Sequence, residues 1–152
     1  MLCIGFCSNL PWRFYYIYGM RNFLFFVLLL SFCSCKQSAI KQSFSSSDSL
    51  VIHFKDEQAG VVTKTIQTTE SNAMSRMIEF IDSKETEQFK CGYDGKMFFY
   101  HKGQEIQEVD FKMKNDSCNH FVFRLNGNLV STKMNSEAVD FLDALEKGMP
   151  YY

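Results

Sequence analysis

Residues 121–130 read FVFRLNGNLV and carry the clearest fold signal in the chain. The Asn126-Gly127 pair stands between two apolar runs and supplies the positive φ angles of a two-residue type I′ turn. This turn sets a hairpin register in which Leu125 faces Asn128, Phe123 faces Val130 and Phe121 faces Thr132. Side chains alternate along a strand, so one face of the hairpin is expected to be buried. The predicted buried residues are Phe121, Phe123, Leu125, Val130 and Met134, and the predicted solvent-facing residues are His120, Arg124 and Lys133.

Five more strands are predicted upstream of this hairpin. Alternating or β-branched runs, separated by Gly-containing turns, lie at residues 50–54, 61–68, 89–91, 97–101 and 109–113. In the last of these runs the carboxylates of Glu108 and Asp110 are expected on the wet face.

Two amphipathic helices complete the prediction. After a cap at Ser71, apolar residues recur at helical spacing at Met74, Met77, Ile78 and Ile81. A second helix follows a cap at residues 135–137, ends at Gly148 and Pro150, and carries the apolar stripe Ala138, Phe141, Leu142, Leu145 and Met149. The order β-β-α-β-β-β-β-β-α predicts an α+β fold, an antiparallel sheet of about seven strands with both helices packed on one face.

Composition limits the chain to one ordinary domain. It has 152 residues, 46% of them hydrophobic and 22% charged, with a net charge of −1. This near-neutral balance provides no electrostatic attraction for nucleic acid. The first 35 residues contain two Arg, no other charged residue and four of the six Cys, which is not the composition of a soluble core.

Residues 20–35 read MRNFLFFVLLLSFCSC, and their order of a basic residue, an apolar run and small residues is typical of a secretory signal. The thirteen residues from Phe23 to Cys35 reach about 20 Å as a helix, short of the roughly 30 Å hydrocarbon thickness. A spanning helix extended back through residues 14–18 is the alternative, but it places Arg21 inside the membrane. Residues 1–19 are interpreted as lying upstream of the true start at Met20.

The end of this run, Phe32-Cys33-Ser34-Cys35, resembles the relaxed lipobox of short Bacteroidota lipoproteins, with Phe32 where the strict pattern has Leu. The resemblance implies removal of residues 20–34 and acylation, as with palmitate, of Cys35. Because no acidic run follows, it also implies an outer-membrane anchor with the domain facing the periplasm. Residues 35–49 are Ser/Gln-rich and predicted to be a flexible tether, and residues 50–152 a single domain. The alternatives are cleavage before Cys33 and a signal that ends without lipid.

Cys91 and Cys118 are the two other cysteines of the exported chain, and an even pair in an oxidising compartment predicts a disulfide. Two reduced core thiols are the alternative. Cys91, His101, Cys118 and His120 form a second alternative, a metal site, but they lack the paired spacing of zinc ligands. We therefore predict neither a metal nor another cofactor.

Catalytic motifs are missing from the sequence. It has no Gly-rich phosphate loop, no Gly-x-Ser-x-Gly and no His-Glu-x-x-His, and the pairs Glu85/Glu87 and Glu108/Asp110 fit solvated strand surfaces. An enzyme would need His101 or His120 beside a carboxylate in a polar cleft. We predict a non-enzymatic envelope protein that binds another envelope protein or a cell-wall component.

Residues 89–100 read FKCGYDGKMFFY and are similar to the opening strand pair of the membrane-bound inhibitors of C-type lysozyme, which are also small envelope lipoproteins. The resemblance implies an alternative function, inhibition of a lysozyme-like hydrolase in the periplasm. The Ser-Gly-x-x-Tyr signature and the Trp-rich C-terminal strand of those inhibitors are missing from this sequence.

Overall fold

The computed structural model describes residues 37–56, 59–87, 90–115 and 117–149. Within them, six antiparallel strands form one sheet and three helices accompany it, which confirms the predicted α+β class. The strands are β1 Ser49–Lys55, β2 Val62–Thr68, β3 Gly95–His101, β4 Gln104–Lys112, β5 His120–Leu125 and β6 Asn128–Lys133. The helices are α1 Ala39–Phe44, α2 Ser71–Ile81 and α3 Ser136–Lys147.

The strand order in the sheet is β2-β1-β3-β4-β5-β6. The hairpin of β5 and β6 has the predicted register, with Leu125 opposite Asn128 and Phe123 opposite Val130. Both turn residues have positive φ, 51° at Asn126 and 82° at Gly127, as a type I′ turn requires.

The helices pack on one face of the sheet, as predicted. The ring of Phe44 in α1 lies 4.7 Å from Phe99 and 5.8 Å from Phe123, both on that face. Between α2 and α3, the rings of Phe80 and Phe141 are 5.7 Å apart. The fully buried side chains of the core include Phe54, Met77, Ile81, Met97, Phe99, Val109, Phe111, Phe121 and Leu142.

The N-terminal cap of α3 is the predicted one, whereas that of α2 differs from the prediction. Asn135 caps α3 by accepting a hydrogen bond from the backbone N–H of Ala138 at 2.8 Å, and Gly148 ends it in the left-handed region. Helix α2 instead begins at Ser71, and Glu70 takes the cap position without a side-chain cap bond. The predicted Ser71 cap is therefore wrong by one residue.

The predicted tether over residues 35–49 is wrong for its described part. Residues 39–44 form α1, Ser38 caps it, and its buried residues are Ile40 and Phe44. Ser38 Oγ also donates to Asp82 Oδ1 at 2.7 Å, which ties this segment to the end of α2. Two apolar residues four positions apart are enough to bury one helical turn against the core, although the surrounding composition is Ser/Gln-rich.

The described residues contain six strands, not about seven, because the described part of the predicted strand at 89–91 forms no strand. Lys90 and Cys91 lie outside any strand, and Phe89 lies outside the described residues. Since β3 already pairs with β1 on one side and β4 on the other, no edge remains for a preceding strand to join it.

The predicted signal at 20–34, the predicted lipidation site Cys35, residues 1–19 and Pro150 all lie outside the described residues. Among the residues that are described, none of the helices has the length and apolar character needed to cross a membrane.

Candidate binding surface

The sheet face opposite the helices, here called the open face, carries a mixture of aromatic, apolar and charged side chains. Alternation along the strands places its residues one position from each core residue. They include Val51, His53, Lys96, Phe98, Glu108, Asp110, Val122 and Arg124.

The middle of the open face is an ionic cluster beside an aromatic pair. Lys96 lies opposite Asp110 in the β3–β4 register, with Nζ 3.2 Å from Oδ1, and also donates to Glu108. Burial alone lowers the pKa of Lys96, but these two carboxylates outweigh it and hold that pKa above its ordinary value. The rings of His53 and Phe98 meet edge to face at 5.2 Å. The three charged side chains are partly exposed, 31% for Lys96, 42% for Glu108 and 23% for Asp110.

A shallow cavity of about 410 Å³ adjoins this cluster between β4, β5 and β6. The β4–β5 pairing stops at Val109 and Phe123. Beyond that point the Gln107 side chain donates from Nε2 to the carbonyl oxygen of Arg124 at 2.9 Å, so a side chain continues the link where the backbone ladder ends. The cavity is lined by residues of both polar and apolar kinds, among them Glu105, Glu108, Asp110, Val122, Arg124 and Leu129.

The other end of the open face is covered by residues 84–87 and 90–94, here together called the strap; Gln88 and Phe89 lie outside the described residues. It begins beside β6, where Glu85 bridges Thr132. It returns to the sheet at Tyr93, whose ring centroid is 6.2 Å from that of His120. The open-face side chains at this end are almost inaccessible: Lys112, His120, Val122 and Ser131.

Asp94, the last residue of the strap, forms a buried ion pair with Lys112. Lys112 Nζ donates to Asp94 Oδ1 at 3.0 Å, and Asp94 Oδ2 accepts from the backbone N–H groups of Met113 and Lys114 at 2.8 and 2.9 Å. Burial raises the pKa of Asp94, but these hydrogen bonds outweigh it and leave the pKa below its ordinary value. A carboxylate this fully occupied serves structure rather than acid–base chemistry.

The structure joins Cys91 of the strap to Cys118, just before β5, in a disulfide with a Cα–Cα distance of 6.4 Å.

His120 is wholly buried, so the prediction that it faces water is wrong. Its Nδ1 contacts the carbonyl oxygen of Cys118, and because a carbonyl only accepts, Nδ1 carries the proton. The prediction that Arg124 and Lys133 face water is confirmed, because both residues are exposed.

The four residues of the alternative metal site do not come together. The disulfide occupies both sulfur atoms, and a metal-binding thiolate requires a free sulfur. His101 ends β3 and His120 begins β5, at opposite ends of the sheet and about 20 Å apart at the usual rise per residue. In the described residues, no group of three His, Cys, Asp or Glu side chains is arranged to hold a metal ion.

His101 does meet a carboxylate, that of Asp48, with Nδ1 3.5 Å from Oδ2. Ser49 Oγ donates to the other oxygen of Asp48 at 3.2 Å. In a serine-nucleophile triad the imidazole stands between hydroxyl and carboxylate and takes the hydroxyl proton. Here the carboxylate stands between them, so His101 is not positioned to activate Ser49.

The residues that organise this face were missed from sequence for identifiable reasons. Asp94 precedes Gly95, and this pair indicates a turn rather than a buried site. Lys112 alternates with apolar residues, as a solvent-facing residue of a strand does. The predicted pairing of Glu108 and Asp110 on one face is confirmed, but Lys96 from the neighbouring strand occupies the space between them.

Comparison with known proteins finds no matching family model, and neither the curated proteins nor the solved structures contain a significant match.

Proposed function

We propose that this chain is a lipid-anchored, non-enzymatic protein of the cell envelope, held in the outer membrane through Cys35 and facing the periplasm. In this proposal the uncovered part of the open face binds another envelope protein or a cell-wall component. The observation that carries it is the unequal covering of the sheet: one face is packed by helices, and the other remains partly exposed around Lys96, Glu108 and Asp110.

Two features support an exported location. The sequence at 20–35 has the order of a signal and resembles a lipobox. The disulfide between Cys91 and Cys118 is also of the kind that persists in oxidising compartments and is rare in the cytosol. A triacylated cysteine would anchor the chain without a spanning helix, since each buried methylene contributes about 0.8 kcal/mol.

The chemistry of the open face supports binding rather than catalysis. Protein interfaces are enriched in aromatic residues and Arg at their core, with polar groups at the rim. Phe98 beside His53 supplies an aromatic centre, and the charges of Lys96, Glu108 and Asp110 lie next to it. Because the ionic cluster is already internally paired, it adds directionality without a large unpaired charge.

The anchor is tested by feeding labelled palmitate to cells that express the chain. We expect label in the unsubstituted chain and loss of label in Cys35→Ala, with Cys33→Ala as the matched control that keeps it. Label retained by Cys35→Ala would transfer the acylated position to another cysteine, with Cys33 as the alternative, and would contradict Cys35 as the anchor.

The surface is tested by placing a photo-cross-linking residue at Leu129, which is 45% exposed beside the cavity. The control position is Asp140, exposed on α3 on the other side of the sheet. We expect a discrete adduct from position 129, none from 140, and an adduct weakened about thirtyfold by Phe98→Ala, as for a residue that contributes about 2 kcal/mol. Equal adducts from both positions would remove the open face as the binding surface.

The alternative, inhibition of a lysozyme-like hydrolase, receives less support. The resemblance that implies it rests on a strand pair at 89–100, and among the described residues that range meets a single strand, Gly95–His101. A cell-wall lysis assay with saturating protein addresses it directly, and unchanged lysis would exclude this function.

A further inference from the structure

The two edge strands of the sheet differ in what covers them. Beside β6, Thr86 N donates to Ser131 O at 2.9 Å and Lys133 N donates to Lys84 O at 2.8 Å, so the strap continues the ladder there. Beside β2, none of the described residues pairs with the outer edge, because β2 ends the strand order and pairs with β1 alone. Every second residue of such a strand directs its N–H and C=O groups outward, which makes it a template for another strand.

β2 lacks the devices that usually keep an edge strand from pairing. Its residues, VTKTIQT, include no proline and no acidic side chain, and the one charge is on Lys64. Lys64 Nζ donates to the carbonyl oxygens of Leu145 and Glu146, both at 2.8 Å, so this cation points to the end of α3 and not to the outer edge. The one irregularity in the β1–β2 register lies at Phe54/Lys55, which leaves residues 64–68 regular.

We propose that β2 pairs antiparallel with β2 of a second copy of this chain, about a two-fold axis at Ile66, and joins two six-stranded sheets. In this register Ile66 faces Ile66 of the second copy, Thr65 faces Gln67, and Lys64 faces Thr68. Such an interface is isologous, so each copy contributes the same surface.

Charge and burial favour a second copy as the occupant. No like charges face each other in this register, and the two Lys64 residues lie about 13 Å apart along the strand direction. Ile66 is half-buried and packs against the core, so a second Ile66 covers the part that one copy leaves exposed. On the other face, Thr65 and Gln67 are exposed, uncharged and able to hydrogen-bond across the axis.

The first test is disulfide cross-linking of the full chain in the cells that express it. Directly opposite residues have Cα atoms about 4.5–5.5 Å apart, within disulfide range, so Ile66→Cys is expected to give a covalent dimer on mild oxidation. Gln67→Cys is the matched control, because the two copies of residue 67 are diagonal neighbours about 7–8 Å apart. The unsubstituted chain, treated alike, reports cross-linking through the other cysteines.

The second test changes charge on the exposed face in the Ile66→Cys background. Thr65→Lys with Gln67→Lys places like charges opposite each other twice and is expected to abolish most of the dimer. Thr65→Lys with Gln67→Glu places opposite charges there and is expected to retain it. Both sites are exposed, so both variants keep the fold of a single copy.

Three results would overturn the proposal: no dimer from Ile66→Cys, equal dimer from Gln67→Cys, or equal loss in the two charge variants. An adduct whose mass is not twice that of the chain would also overturn it and assign β2 to a different protein.

Discussion

Asp94 and Lys112 form an ion pair at 3.0 Å, with side chains that are only 1% and 3% exposed, at the point where the strap rejoins the sheet. The pair links the first residues before β3 to the end of β4, and the two backbone N–H groups bound by Asp94 fix where the chain turns away. Removing one partner of such a pair leaves an uncompensated buried charge, whereas replacing both often costs little.

Asp94→Asn is therefore expected to lower the free energy of unfolding by about 3–5 kcal/mol. Urea unfolding measures this change, and Glu105→Gln, on an exposed residue of β4, is the control expected to stay within about 0.5 kcal/mol. Asp94→Asn combined with Lys112→Met should recover part of the loss. A double variant as unstable as the sum of both single variants would show that the two side chains are not coupled.

The same carboxylate predicts a pH dependence. Because the folded-state pKa of Asp94 lies below its ordinary value, its contribution is fully present above about pH 4, the unfolded pKa, and is lost as pH falls toward the folded pKa. The stability difference between the unsubstituted chain and Asp94→Asn should shrink over that acidic range and stay constant between about pH 5 and 7. A difference that does not change between pH 5 and 2 would contradict the assigned pKa.

Gly95→Ala tests the close packing between β1, β3 and β4. A methyl group at this position would overlap the Phe111 ring and the carbonyl oxygen of His53, and the backbone oxygen has no room to move. We expect a loss of about 3 kcal/mol or more in unfolding free energy. At Gly103, with φ of 78° and nothing near the new atom, Gly→Ala brings backbone strain alone and should cost about 1 kcal/mol. Similar losses at both sites would contradict the packing.

The disulfide predicts a linked peptide pair. Non-reducing peptide mapping should recover Cys91 joined to Cys118, and free-thiol labelling should leave both unmodified. Replacing both by Ala should cost about 3.5 kcal/mol, the loop-closure value for a sequence separation of 27. Complete alkylation of both residues in the native protein would instead support two reduced thiols.

The packing of α1 on the core implies that the folded domain includes residues 39–44. Phe44→Ala should lower the unfolding free energy by about 3–5 kcal/mol, because Phe44 is wholly buried against Phe99 and Phe123. Gln42→Ala, on an exposed residue of the same helix, should cost under about 0.5 kcal/mol. Equally small losses of unfolding free energy in the two variants would instead support the predicted flexible tether over residues 39–44.

The sequence by itself determined the α+β class, the β5–β6 register, the extent of α3, and the placement of α2 and α3 on one face of the sheet. Of the hairpin residues predicted to be buried, Phe121, Phe123 and Met134 are buried, whereas Leu125 and Val130 are half-buried. These depend on local rules, since turn chemistry and side-chain alternation act over a few residues. The pairing of Cys91 with Cys118, predicted from the cysteine count, is also present in the structure.

Only the tertiary structure decided which polar residues are buried and which segments the core recruits. His120 and Lys112 have the local pattern of wet-face residues, and they are buried because the strap, distant in sequence, crosses over them. Residues 89–91 have a strand pattern, but β3 lies between β1 and β4 and offers them no edge. Phe44 belongs to the core because two rings from β3 and β5 meet it. In each case the deciding contact joins residues far apart in the chain, and no local pattern encodes it.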